Sequence, residues 1–460
     1  MIAELPYQED SAWLFEALAD RPLAVFLDSG RPATCQGRYD ILAADPMATL
    51  TTRGLLTEIK TRNGVEFSHD EPFALLRNVL GPVTPVLGDL PFCGGAIGYF
   101  AYDLARRLER LPQCAEDTEH IPEMAIGIYD WAVVVDHEAR LCRLIAQGRD
   151  PVTHAYWDTL LKRLSSPSPA RIRPPFRAIS QPVSNMDRSR YGRAFRRIKS
   201  YIHEGDCYQV NLAQRFETRV VGDAWCAYQQ LRRINPAPYG AFLHLPFIHV
   251  LSASPERFLS MRNGNVETKP IKGTRPRGRT PDQDRALADA LCASAKDRAE
   301  NLMIVDLLRN DIGKTCRAGS VRVPKLFDLE SFTTVHHLVS TVTGTLADGC
   351  DALDLLRGCF PGGSITGAPK LRAMEIIEEL EPHRRGVYCG AIGYIGFDGS
   401  MDTNIAIRTL IHSDGVSRFW AGGGIVADSQ EDQEYQETLD KAAAMLSLLK
   451  LSETEYVGSY

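Results

Sequence analysis

Gly390-Ala-Ile-Gly-Tyr394, followed by Asp398, repeats a pattern that already stands near the N-terminus as Gly95-Ala-Ile-Gly-Tyr99 with Asp103. Each copy reads as a short apolar strand in which glycine lets a neighbouring backbone come close. Two similar strands do not make a repeat protein. They leave two readings open: glycine strands placed where backbones crowd, or a duplicated sheet topology of which one half keeps the chemistry. Either reading puts strands in both halves of the chain.

Outward from the first copy, Leu55 to Lys60 alternates and is followed by Asn63-Gly64, and Ala132 to Val135 is an apolar run. These predict strands joined by hairpins, with helices near Ser11 to Leu18 and His154 to Leu164. Outward from the second copy, Tyr191 to Glu204 has helical periodicity, Cys207 to Arg215 and His249 to Met261 read as strands, and Asn263-Gly264 as a hairpin turn. Longer helices are expected at Pro281 to Ala295, Ala299 to Leu308, Lys370 to Leu380 and Glu431 to Leu451. The clearest seam is Ser165 to Pro175, where proline, serine and arginine replace any apolar period. The expected organisation is an N-terminal α/β region over 1–164, a linker over 165–180 and a larger region over 181–455.

At 460 residues the chain has room for roughly three domains of ordinary size. Its 44% hydrophobic and 24% charged residues sit at the globular average, which excludes a disordered chain, a collagen-like repeat and a small disulfide scaffold. With 58 acidic against 52 basic residues the formal charge is −6, so no global positive field draws in nucleic acid. No basic segment leads into an apolar run at the N-terminus, and nowhere do about eighteen apolar residues run together. Neither a signal peptide nor a membrane-spanning helix is expected. The eleven cysteines include no CxxC pair, so neither a zinc site nor a disulfide framework is written, and a reducing cytoplasm is the expected location.

Candidate chemistry gathers in the C-terminal half. Glu434, Glu437 and Lys441 fall three and four residues apart, which on a helix forms one stripe: a ligand arrangement or a solvated charged face. Asp297 and Glu300 form a second acidic pair ahead of the apolar segment Leu302 to Leu308, serving either a site or the first-turn amides of a helix. If the two pairs converge, oxygen ligands without histidine or thiolate select Mg²⁺. The segment Lys269 to Arg279 carries five cations and no aromatic residue, which favours a shaped loop over single-strand nucleic-acid binding. Within it, Lys272 is either a surface lysine or a desolvated amine whose lowered pKa would make it a nucleophile.

Gly358-Cys-Phe-Pro-Gly-Gly-Ser-Ile-Thr-Gly-Ala-Pro-Lys370 is a glycine-rich loop opening a helix, where free amides could hold an anion. It fits no nucleotide motif, and Gly313-Lys314-Thr315 fails as a phosphate loop because the required first glycine is Leu308. Gly422-Gly-Gly424 offers amides at close approach. His336 and His337 are adjacent, so on a strand at most one faces a site.

Taken together these segments resemble the chorismate-utilising enzymes. The matching pieces are Cys207-Tyr-Gln-Val-Asn-Leu-Ala-Gln-Arg215, Ser254-Pro-Glu-Arg-Phe258, Pro270-Ile-Lys-Gly-Thr274, Ala299-Glu-Asn-Leu302 through Arg309-Asn-Asp311, Phe360 to Lys370, Ile405-Ala-Ile-Arg-Thr409, Ala421-Gly-Gly-Gly424 and Glu434-Tyr-Gln-Glu-Thr438. The N-terminal third is similar more weakly, through Asp28-Ser-Gly30 and Arg38-Tyr-Asp40. The fold the resemblance implies is a layered α/β sandwich of two large antiparallel sheets flanked by helices, with the active site in the C-terminal region.

The resemblance also implies roles. Glu300 and Glu437 match the Mg²⁺ ligands, with Asp297 and Glu434 as supporting acids, and Glu256 matches the general acid/base. Thr274, His337, Tyr394, Arg408, Gly424 and Lys441 match positions around the substrate. Gln209 stands where water-adding relatives have a water-activating lysine, which implies ammonia as the incoming nucleophile. Lys272 resembles the aminodeoxychorismate-forming branch; the anthranilate-forming branch usually has alanine there. No glutaminase domain is recognisable, so a separate glutamine amidotransferase subunit is the implied partner in a heterodimer. Ser29, Arg38, Tyr39 and Pro238-Tyr-Gly240 lie at positions that in relatives form an amino-acid pocket, in some cases occupied by tryptophan. The rival readings are an anthranilate-forming enzyme and a catalytically silent binding protein.

Overall fold

Strands dominate both halves of the chain, and the computed structural model, which describes residues 1–34, 37–85, 88–166, 171–332 and 335–450, gathers them into two large sheets. One sheet runs from Ile2–Leu5 through Leu141–Ala146, Trp131–Asp136, Tyr39–Ala43, Val25–Asp28, Tyr239–Leu245, Ile248–Ser254, Thr409–Ser413, Val416–Ile425 and Gln209–Val221 to Arg177–Ala178. The other runs from Ile271–Pro276 through Val335–Thr345, Asn265–Thr268, Arg257–Arg262, Met401–Ile405, Ala391–Gly396, Gly95–Phe100, Met124–Tyr129, Ala48–Arg53 and Leu56–Thr61 to Gly64–Ser68. The strand pairs within both are antiparallel. Both sheets draw strands from either side of the expected linker, part of which (167–170) lies outside the described residues, as do 451–455 and the last expected helical residue, Leu451.

Strand alternation sorts the core into layers. Val25, Ile41, Leu243 and Val250 from the first sheet meet Leu50, Ile97, Ile126 and Ile392 from the second in one apolar layer. Phe26, Leu42, Phe242 and Leu251 point the other way, onto a second layer that includes Phe15, Leu160, Trp225 and Met445 from flanking helices. Trp225 lies with its ring 5.2 Å from that of Phe242 and 4.7 Å from that of Phe15, so this layer is cemented by aromatic contacts. A third, smaller cluster packs Tyr191, Phe195 and Ile198 of the helix Arg188–Glu204 against Ile376 and Ile377 of the helix Lys370–Leu380.

The two glycine copies are neighbours in a single sheet, with Gly98 opposite Gly393. A Cβ on Gly98 would lie 2.1 Å from the Ala125 carbonyl oxygen, and one on Gly393 2.1 Å from that of Asp402. Backbone crowding explains the repeated glycines, and the strand order bears out a duplicated topology as well: from the central pair the sheet runs through Met124–Tyr129, Ala48–Arg53 and Leu56–Thr61 on one side and through Met401–Ile405, Arg257–Arg262 and Asn265–Thr268 on the other.

One expected strand is two. His249 to Met261 divides into Ile248–Ser254 in the first sheet and Arg257–Arg262 in the second, broken at Pro255, which has no N–H to give a central ladder. The crossing leaves Glu256 between the sheets. The expected helix Ala299 to Leu308 is longer, Ala295–Gly313, and starts where the Ser294 hydroxyl accepts from the Asp297 amide at 3.3 Å. It lies along Ile271–Pro276 and Val335–Thr345, so Asp297 and Glu300 face the strand that carries Lys272. The expected helix Ser11 to Leu18 is reduced to Ala12–Phe15.

Candidate active site

A cavity of about 540 Å³ opens where the Pro255 crossing, the helix Ala295–Gly313, the glycine-rich loop and the helix Glu431–Leu448 meet. The resemblance-derived residues Glu256, Lys272, Thr274, Asp297, Glu300, His337, Arg408, Gly424, Glu434, Glu437 and Lys441 all line it. The two acidic pairs, distant in sequence, thus converge.

Each metal-candidate carboxylate is held by a cation. Lys272 Nζ donates to Glu300 Oε1 at 2.9 Å, Arg275 to Asp297 at 2.9 Å, Lys296 to Glu434 at 3.4 Å, and Lys441 pairs with Glu437 at 2.7 Å. Among the described residues no three His, Cys, Asp or Glu side chains form a ready-made ion cage. The donor chemistry nevertheless suits Mg²⁺. A Cβ on Gly423 would come within 3.3 Å of Glu437 Oε1 and 3.4 Å of Glu434 Oε2, and one on Gly424 within 2.9 Å of Glu300 Oε1. The two glycines turn opposite faces of their strand, so the carboxylates come together through the cavity that Asp297, Glu300, Glu434 and Glu437 all line, where Lys272 feels both Glu300 and Glu437, and they form the oxygen-only donor set a hard cation prefers. Burial pushes Glu437 upward, but Lys441, Lys296 and Lys272 outweigh it and hold its carboxyl below the ordinary value. For Glu434 burial prevails and the pKa is raised.

Lys272 departs from its expected state. Burial pulls its pKa down, as anticipated, yet Glu300, Glu256 and Glu437 more than compensate, and the amine is held above its ordinary value as an ammonium. The basic segment around it is no free anion-binding patch: Lys269, Lys272, Arg275 and Arg277 pair with Glu330, Glu300, Asp297 and Asp284.

Glu256 is buried in the cavity wall, and burial raises its pKa, opposed by hydrogen bonding from Ser364 and by the charge of Lys272. Such a carboxyl keeps its proton to higher pH than an exposed one. His337, also buried, bonds Thr274 Oγ1 through Nδ1 at 2.9 Å, and burial together with nearby Arg408 lowers its pKa to about 4. It is a neutral imidazole. His336 points the other way, to Asp284 and Ser331.

Arg408 has no acidic partner among the described residues; its one side-chain bond is to Asn235 Oδ1 at 3.4 Å, and burial lowers its pKa. Its φ of 49° lies in the left-handed region, where a side chain is strained. An unpaired guanidinium in a cavity is a receptor for an anion, a carboxylate above all. Gln209 lies fully buried on the same side of the glycine strand as Glu300, with neither amide atom hydrogen-bonded and its Nε2 2.6 Å from where a Cβ on Gly424 would stand.

Tyr394 is not in this cavity. It lines a second one of about 310 Å³, between the sheets, together with Ser29, Arg38, Tyr39, Pro238, Tyr239 and Gly240. Strand alternation explains the misplacement: in Ala391–Gly396 its ring turns toward Phe92, at 5.2 Å, away from the catalytic side. The six positions of the expected amino-acid pocket do converge. Sequence reading missed Ser364, which touches both Glu256 and Lys272, and Lys296; their only signal was the glycine-rich loop and a position next to Asp297.

The family model described as chorismate binding enzyme matches residues 24–447. An aminodeoxychorismate synthase component 1 from Salmonella typhimurium is 50% identical over 453 residues, 98% of either chain. An anthranilate synthase component 1 from Thermus thermophilus is 39% identical over 442 residues, covering 95% of this chain and 94% of the relative. Among solved structures, anthranilate synthase component I from Streptococcus pneumoniae superposes with a TM-score of 0.80 at 34% identity, over 90% of this chain and 93% of that one.

Proposed function

The chain belongs to the chorismate-binding enzymes, and from that premise we propose that it is the chorismate-converting component of an aminodeoxychorismate synthase, replacing the C4 hydroxyl of chorismate with ammonia. The product, 4-amino-4-deoxychorismate, keeps its enolpyruvyl group and would feed 4-aminobenzoate and folate synthesis. The observation that carries this reading is the placing of Lys272 and Glu256 in one cavity with an unpaired Arg408. Relatives named for anthranilate synthesis stand further off, at 39% against 50% identity.

The chemistry follows from the residues present. Arg408 offers its guanidinium to a substrate carboxylate. Glu300 and Glu437, backed by Asp297 and Glu434, are the residues that would hold Mg²⁺, which supplies a hard positive charge for the other carboxylate. Lys272, once its ammonium has given up a proton, attacks ring C2; the ring double bonds shift and the C4–O bond breaks, the hydroxyl leaving as water with the proton of Glu256. Ammonia then bonds to C4, the double bonds shift back, the C2–N bond breaks, and the extra proton returns to Glu256. Gln209, without a basic group, cannot generate hydroxide, which supports ammonia over water as nucleophile.

Ammonia would come from a glutamine amidotransferase subunit, in keeping with relatives named as component 1. No described helix is long and apolar enough to cross a membrane; a cytoplasmic enzyme is the proposed setting. The second cavity, with its three tyrosines, is proposed to take an aromatic amino acid, tryptophan being the candidate the family resemblance supplies. The decisive experiment incubates the chain with chorismate, Mg²⁺ and ammonium. Aminodeoxychorismate is the expected product; anthranilate with pyruvate would make it the rival enzyme, and untouched chorismate a silent relative.

A further inference from the structure

The Pro255 crossing puts consecutive residues into different cavities. Glu256 lines the catalytic one, whereas Arg257 lines the second cavity with Tyr239 and Asp402. Arg257 opens its strand at an irregularity: it stands opposite Asn404, but the next register pair is Leu259 with Thr403, so Phe258 is an extra residue in a bulge. Bulges turn the direction of nearby side chains and are common beside active sites.

The guanidinium spans this bulge. It bonds Asp402 through two parallel contacts, Nε to Oδ1 at 3.1 Å and Nη2 to Oδ2 at 2.9 Å, bonds Glu267 at 2.8 Å, and lies over the Tyr239 ring at 5.1 Å. On the backbone, the Glu256 amide donates to Ser254 Oγ and its carbonyl accepts from Ile405. Those two bonds fix where Glu256 sits; the clamp on its neighbour fixes the rotation of the chain there. Nothing in the reaction requires a cation at position 257, which touches neither the catalytic cavity nor any residue assigned to the metal or substrate.

We propose that Arg257 is a positioning residue, whose clamp to Asp402 across the bulge sets the direction in which the Glu256 carboxyl enters the catalytic cavity. The inference rests on the reading of Glu256 as the general acid of chorismate amination. The charged or titratable groups facing that carboxyl are Lys272, Lys441 and Cys389, and none belongs to the clamp.

The test is the double variant Arg257→Met/Asp402→Asn, which removes the clamp without changing net charge, assayed with chorismate, Mg²⁺ and ammonium. A misdirected acid of about 1 Å should lower kcat roughly 10- to 100-fold while KM for chorismate stays within about threefold, since Arg408 and the acidic helices are untouched. A loosened Glu256 meets more water, so its raised pKa relaxes downward and the limb of the kcat profile that Glu256 sets moves to lower pH. Arg257→Lys keeps the charge but not the fork, and should show the same pH shift with a smaller loss even where the double variant folds poorly. A folded variant with the wild-type kcat profile, or one that loses kcat and gains KM together on an unmoved pH limb, overturns the inference alone. A wild-type chain inert toward chorismate overturns the functional reading and this inference with it.

Discussion

The catalytic cavity and the second cavity lie on either side of the Glu256–Arg257 peptide, yet they are built from different materials. The first is walled by carboxylates and cations that pair across it, Lys272 with Glu300, Lys441 with Glu437 and Lys296 with Glu434, leaving Arg408 as a charge without an acidic partner among the described residues. The second sets tyrosine rings and sheet backbone, with Tyr39, Tyr239 and Tyr394, around a smaller space, and its charged groups, Asp28, Arg38, Arg257 and Asp402, are each held in an ion pair with the protein. A charged ligand entering the first must exchange partners with the protein; an occupant of the second meets a surface already set by packing. Charge substitutions should therefore cut turnover at the first, and shape substitutions should cut binding at the second.

The largest effect is expected from Lys272→Ala. Loss of the nucleophile should lower kcat by roughly a thousandfold or more and remove any covalent adduct seen by mass spectrometry. An adduct that persists in this variant would show that another side chain carries it. The substitution also leaves Glu300 without its partner, so metal affinity should rise while turnover collapses, an opposition that a simple folding defect does not produce.

Glu256→Gln comes next, with a loss of roughly 10²- to 10⁴-fold. The sign of the pH dependence follows from two groups: Glu256 must be protonated and Lys272 neutral, both are held above their ordinary values, and kcat should climb with pH up to the raised value of Glu256 and level off above it, where the gain in neutral lysine offsets the loss of protonated acid. His337, held neutral with a pKa of about 4, should contribute no limb between pH 5 and 8. An acid limb that stays unchanged in Glu256→Gln would point to another group and against Glu256.

Glu300→Gln and Glu437→Gln should each shift the Mg²⁺ concentration needed for half-maximal activity upward, on the order of 10- to 100-fold, with kcat partly restored at high Mg²⁺. Superimposable Mg²⁺ titrations for wild type and variants would remove both from the ligand set.

How much of this was legible beforehand divides along the same line. The acidic pairs could be named from spacing, because helical residues three apart share a face, but their convergence is a property of the sheets and not of either helix. The strand reading of His249 to Met261 was right about extended backbone and silent about the crossing; Pro255 was the available signal, and it is what delivers Glu256. Spacing left Lys272 as either a surface lysine or a desolvated amine; it is desolvated, and its charge state depends on Glu300, 28 residues away and invisible to local reasoning. Tyr394 was assigned by resemblance to the wrong cavity, since a motif names a strand and only the sheet decides which face a side chain takes. The glycine copies could be read as crowding or as duplication, and only their pairing and the strand order on either side of it show that both hold.

The smallest effect on turnover is expected where shape alone is changed. Tyr39→Ala removes a ring from the second cavity while leaving the clamp of Arg257 on Asp402 and Glu267 in place. Tyr39 is only half-buried, beneath Arg38 at 4.6 Å, so its loss opens the pocket without a core cavity beneath it. Amination of chorismate should stay within about twofold of wild type, because no charge of the catalytic cavity is touched. Binding of tryptophan by calorimetry should weaken by roughly tenfold or more, the worth of one lost aromatic contact. Equal binding by both proteins would mean that tryptophan does not use this cavity, and a matching loss of turnover would mean that the two cavities are less separate than their linings imply.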